Sequence, residues 1–275
     1  MIECITRAIA LTILLCGTGH NALPPEHVTN SSPDLNCHTV ALEKEVRSAI
    51  SQTDTSKPTS HTTLTLEGWT VHVDDRLLAG PDKALGDRTL AILRMRLFAI
   101  TLVVPADKVR RLQQVPLWLD RTHGKLKSMQ YHPSADWLKE NGYDTALAKC
   151  VHIPDAAYFS SAEIQFQQPW AVLHELAHAY HDQVLSFDNP EIRAAWEKFK
   201  EGGKYKSVLH MNGRMRPHYG LTNQMEFFAE MTETYFGMND FFPFNRVELQ
   251  REEPELAALI GRMWGVGRLE AGPVP

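Results

Sequence analysis

At 275 residues, 43% of them apolar and six of them tryptophan, the chain can build one medium domain with a real hydrophobic core. A net charge of −5 with no basic block excludes nucleic acid or an anionic membrane surface as the main partner. Thirteen histidines are the unusual entry, and several crowd the C-terminal half.

The chain opens on a targeting pattern. Arg7 precedes the apolar run Ala8-Ile9-Ala10-Leu11-Thr12-Ile13-Leu14-Leu15, and the small residues Cys16, Gly17, Thr18 and Gly19 follow. That order predicts a secretory signal peptide over residues 1–22, cleaved after Gly19 or Ala22, and so a secreted or periplasmic protein. The run is shorter than the ~20 apolar residues of a spanning helix, so no permanent membrane insertion is expected. Lipid attachment at Cys16 is the alternative, against which Leu15 is a poor match to the small residue such a signal carries. Removal of the signal leaves Cys37 and Cys150, which form either a disulfide or two separate thiols.

Residues 23–62 are rich in Pro, Ser, Thr and Asn and read as a linker or pro-segment, with one short helix over 40–50. Residues 63–275 are expected to form one domain whose folded part begins near Leu64. Alternation over 65–73 predicts strands or a hairpin, and Leu85, Leu93 and Leu97 mark a helix over 84–98. Pro105 is placed at the first position of a helix reaching about Gln113. Strands are expected at 115–119 and 149–153, and Ser134 caps a short helix. Later come helices over 169–185, 190–201 (closed by Gly202-Gly203) and 223–236 (stopped at Gly237). Between the last two lie a strand and an irregular loop. No internal repeat is visible, and the class is α+β with helices gathered late.

The chemistry centres on His174-Glu175-Leu176-Ala177-His178. Histidines at i and i+4 share one helical face, one turn apart, so two imidazoles can hold one tetrahedral zinc ion. Glu175 between them can take a proton from a water at the open position. The alternative is a pair of ordinary core or surface histidines. A third ligand is required, and His181 shares the face but lies too far along a rigid helix rising about 1.5 Å per residue. Position 184 is Val rather than His, which removes the metzincin pattern. Glu226, Glu230 and Glu233 form a carboxylate stripe on the third helix. Glu226 is the favoured ligand, with Glu230 accepting a hydrogen bond from a ligating histidine and fixing its tautomer. A competing role exists for Glu226: with Asn223 as N-cap it falls at N3, where glutamate reaches back to the backbone.

The segment Tyr219-Gly220-Leu221-Thr222-Asn223-Gln224-Met225-Glu226-Phe227-Phe228-Ala229-Glu230 resembles the catalytic domain of anthrax lethal factor and the Mlc titration factor A peptidases. These are gluzincins, and the resemblance covers 174–182 and 219–235. It implies a zincin-like fold, one zinc ion per chain held by His174, His178 and Glu226, a supporting role for Glu230, and Tyr219 as a donor to the reaction intermediate. No match to lethal factor extends to residues 64–168, so substrate choice does not carry over.

The expected function is a secreted zinc-dependent peptidase acting on a peptide or protein substrate, in which Glu175 activates a zinc-bound water. The alternatives are a zinc hydrolase of a non-peptide bond, a non-catalytic zinc-binding exported protein, and a structural domain with an accidental motif. His218, beside Tyr219, is the runner-up oxyanion donor, ahead of His210, His152 and His132. Asp182 is a candidate for orienting a neighbouring group. Val151-His152-Ile153 is the candidate edge strand for aligning a substrate backbone.

Overall fold

The computed structural model describes residues 56–266. The expected signal peptide, Cys16, Cys37 and the linker up to residue 55 lie outside them. The class is α+β. A five-stranded sheet runs in the order β1-β2-β3-β5-β4, with β1 His61–Leu66, β2 Trp69–Asp74, β3 Leu117–Leu119, β4 Gln130–Tyr131 and β5 Val151–Ile153. Strands β2, β3 and β5 are parallel, whereas β1 and β4 close the two edges in antiparallel sense. β1 starts three residues before Leu64, because its register pairs His61 with Asp74. Glu67 and Gly68, both at positive φ, make the tight turn that fits a hairpin's twist.

In register, Val71, Leu117 and Val151 form one row, and Val73, Leu119 and Ile153 the next. All six side chains are fully buried, as the alternation of a strand demands when one face meets helices. Helix α1 (Lys83–Val103) packs Leu93, Leu97 and Ile100 into this core. It runs five residues beyond the expected end because no breaker stands before Pro105, which forces Val104 into an extended conformation. Helix α2 (Ala106–Leu112) follows with Pro105 as its N-cap, one position earlier than expected. Ser134 caps α3 (Ala135–Glu140), accepting from the Trp137 N–H as foreseen.

Short helices α4 (Ala156–Phe159) and α5 (Ala162–Gln167) lead to α6 (Ala171–Tyr180). The α-helical part of α6 ends at Tyr180, and residues His181–Leu185 continue as one π-helical turn rather than as α-helix. Then come α7 (Pro190–Glu201), the small hairpin β6 (Val208–Leu209) and β7 (Met215–Arg216), and α8 (Gln224–Phe236). Helices α9 (Arg246–Glu252) and α10 (Pro254–Met263), not anticipated from the sequence, finish the described chain. No helix among the described residues is long and apolar enough to cross a membrane.

Helices α6 and α8 are each other's main partners. Leu173, Leu176 and Ala177 face Phe227, Phe228, Ala229 and Met231 within the same core, all of them fully buried. Each buried Leu or Phe contributes about 1.5–3 kcal/mol. The Trp170 ring at the start of α6 lies against Gly237 at the end of α8, where a Cβ would come within 2.1 Å of it. His178, late in α6, meets Glu226, early in α8. The two helices therefore run antiparallel across the site.

Candidate metal centre

The i, i+4 spacing on α6 does what helical geometry requires. The His174 and His178 rings stand 4.7 Å apart between centres, nearly perpendicular, and both are buried. Across from them, Glu226 Oε2 lies 3.1 Å from His174 Nε2 and 3.3 Å from His178 Nε2. Two nitrogens and one oxygen thus converge from two helices. Ligands about 2.0–2.1 Å from one tetrahedral ion stand about 3.3 Å from each other, so this donor set and its spacing fit zinc.

Asn223 is the N-cap, accepting from the N–H groups of Met225 and Glu226 at 2.9 and 2.8 Å. The Glu226 carboxylate turns to the two histidines rather than back to the helix start. Burial works to raise the Glu226 carboxyl, but His178 and His174 overcome it and hold the group well below the usual carboxylate range. Burial likewise opposes a charged His174, yet Glu226 and Glu233 raise it well above an ordinary histidine. The cluster demands positive charge: a proton on His174 meets that demand, and a divalent cation would meet it better.

The carboxylate that accepts from His174 is Glu233, not Glu230. Nδ1 donates to Glu233 Oε1 at 2.6 Å, while Glu230 Oε1 is 3.6 Å away. The antiparallel crossing explains the correction, because His174, early in α6, lies beside the later turns of α8. Glu230 instead accepts from Asn239 Nδ2 at 3.1 Å, and burial and Asp240 push its carboxyl well up. Glu233 is also raised, first by burial, with His174 pulling the other way.

Glu175 is held by a strand the sequence did not reveal. The Tyr131 N–H of β4 donates to Glu175 Oε2 at 2.7 Å. Burial raises the Glu175 carboxyl, against the pull of His178 and His174. The Tyr131 hydroxyl in turn donates to Asp182 Oδ2 at 2.6 Å, which gives Asp182 the orienting contact foreseen for it. β4 is one edge of the sheet, whereas Val151–Ile153 lies inside it between β3 and β4. That strand cannot be the edge. Two residues of β4 were too short a run for any periodicity to signal.

The Tyr219 ring sits 6.5 Å from that of His174, and burial together with Glu226 raises its hydroxyl above the ordinary tyrosine value. His218 is 1% accessible. Its Nδ1 accepts from the Gly220 N–H at 3.0 Å, so it caps the 3-10 turn Tyr219–Leu221 and positions Tyr219 rather than facing the ligands. Burial pushes it down to about 3. Burial, with His178 nearby, likewise holds His181 to about 3, packed against Phe187 and Phe228. His210 accepts from the Asn212 N–H, and His152 and His132 belong to a separate cluster around Asp120. Cys150 is a free buried thiol.

Searches of protein-family models, curated proteins and solved structures find no match to this chain.

Proposed function

We propose that this protein is a secreted zinc-dependent peptidase with a zincin-like catalytic domain, in which His174, His178 and Glu226 hold the metal. The observation that carries this reading is the meeting of both Nε2 atoms with one Glu226 oxygen at 3.1 and 3.3 Å. Its placement supports the same reading: beside an antiparallel edge strand, with a half-buried glutamate between the two histidines. Zinc there would supply Lewis acidity, lowering the pKa of a water and polarising a carbonyl.

The chain's own groups do the rest. Glu175, its carboxyl raised by burial, accepts a proton from the attacking water and delivers one to the leaving amine. The Tyr131 N–H holds one Glu175 oxygen and leaves the other for that transfer. The Tyr219 hydroxyl donates to the oxyanion formed from the scissile carbonyl. Retention of a glutamate at 175 favours catalysis over mere metal storage, since ligation alone needs no general base.

The test exposes the zinc-loaded protein and its Glu175→Gln variant to a diverse peptide library, with cleavage read by mass spectrometry. Cuts made only by the unmodified protein support the proposal. No cuts from a protein carrying zinc at His174, His178 and Glu226 would overturn the peptidase assignment in favour of non-peptide chemistry.

A further inference from the structure

A second set of imidazoles closes on a different carboxylate. Asp120 follows β3, continuing its ladder through an N–H bond to the Ile153 carbonyl. His152 stands between Val151 and Ile153 on β5, so its side chain leaves the sheet on the face opposite theirs. Asp120 Oδ2 receives His123 Nδ1 at 2.6 Å and His152 Nε2 at 2.8 Å, and Oδ1 receives His61 Nε2 at 2.7 Å. Asp120 and His152 are both wholly buried.

We propose that Asp120, His123 and His152 form a second binding site for a divalent transition-metal ion, of which zinc suits the two-imidazole, one-carboxylate donor set. Their ligand atoms lie within 4.8 Å of one another. The partners of the Asp120 carboxylate among the described residues are imidazoles, so a buried negative charge faces groups that are neutral unless protonated. A metal ion supplies the missing charge.

Around His152 the surroundings already have the form that a metal ligand requires. When His152 ligates through Nε2, its ring proton moves to Nδ1, which lies 3.3 Å from His132 Nε2 as acceptor. His61 holds the Asp120 oxygen that does not ligate. His123 would ligate through Nδ1, which leaves its buried Nε2–H without a hydrogen-bond partner, a cost that the bound ion has to offset. The present 2.6 and 2.8 Å separations are proton-bridged; an ion between the atoms opens them toward about 3.3 Å. The site would brace the strand edge: His132 exchanges backbone hydrogen bonds with Lys149 and Cys150, next to the Tyr131 N–H that holds Glu175.

The assignment does not depend on the peptidase reading, and the test keeps the two apart. The full chain is stripped with chelator, reloaded with zinc, gel-filtered and assayed for metal per chain. His174→Ala/His178→Ala is expected to retain one ion more than the same protein with Asp120→Asn added. Equal metal content in these two variants, both folded by circular dichroism, would overturn the second site and leave the first untouched. Should Asp120→Asn fail to fold, cobalt replaces zinc in the double variant and His123→Gln is added instead. Loss or a shift of the visible cobalt absorption supports the site, and an unchanged spectrum refutes it.

Discussion

The two histidine–carboxylate clusters of this protein use the same side chains in different ways. On α6 and α8, one Glu226 oxygen stands 3.1 and 3.3 Å from two imidazole nitrogens, a ligand-to-ligand spacing. Around Asp120 the corresponding distances are 2.6 and 2.8 Å, the spacing of shared protons. The first cluster grows from two rigid helices locked by core packing, which hold the side chains apart. The second grows from strand ends and a loop, which let imidazoles close on the carboxylate. The first has Glu175 between its two histidines, which the second lacks, while each has a tyrosine nearby, Tyr219 at 6.5 Å from His174 and Tyr143 at 6.0 Å from His123. Residue identity alone does not separate the two clusters; the backbone that carries the residues does.

The largest expected effect breaks this comparison at its centre. Glu226→Ala should remove the ion from the helical cluster and abolish hydrolysis, while the fold persists by circular dichroism. Unchanged metal content in that variant would mean the helices do not hold the ion. Next, Tyr219→Phe should lower turnover by about two to three orders of magnitude with zinc content intact, as loss of an oxyanion donor does. Near-normal turnover would remove Tyr219 from the chemistry.

A smaller effect is expected from Glu233→Gln. It weakens the carboxylate partner of His174 and should reduce zinc affinity about 10–100-fold in a competition titration with a chelator. Glu230→Gln, which leaves that contact in place, should change affinity less, and the reverse ranking would restore Glu230 to the orienting role. The smallest effect concerns pH. His181 is buried neutral at about 3 against an unfolded value near 6.5, so the unfolded chain binds the extra proton first. Its contribution to stability is full above about pH 6.5 and is lost as pH falls toward 3, by about 1.4 kcal/mol per unit. His181→Phe should flatten the fall in denaturation midpoint between pH 7 and 5, and an unaltered slope would place the acid sensitivity elsewhere.

Much of the helical cluster was legible because its signals are local. A helix fixes i, i+4 neighbours from spacing alone, so His174 and His178 share a face wherever the helix packs. Asn223 before Glu226 could be recognised as a cap from residue type and position. The strand β4 was not legible, since two residues carry no period, and α9 and α10 drew no expectation at all. The burial of His218 was not legible, because a histidine in a loop carries no sequence mark of it. The partner of His174 was misassigned for another reason: choosing between Glu230 and Glu233 needs the direction in which α8 crosses α6.

The sequence by itself determined the α+β class, most of the helices, the Ser134 and Asn223 caps, and the shared face of His174 and His178, because these follow from 3.6-residue and two-residue periods and from side-chain chemistry within a few residues. Only the tertiary structure decided which carboxylate meets which imidazole, that Tyr131 holds Glu175, and that histidines from β1, β5 and a loop gather on Asp120. Those contacts join positions as far apart as His61 and Asp120, or His174 and Glu233. They depend on how strands order and helices cross, which is set by the packing of the whole core rather than by any local run of residues.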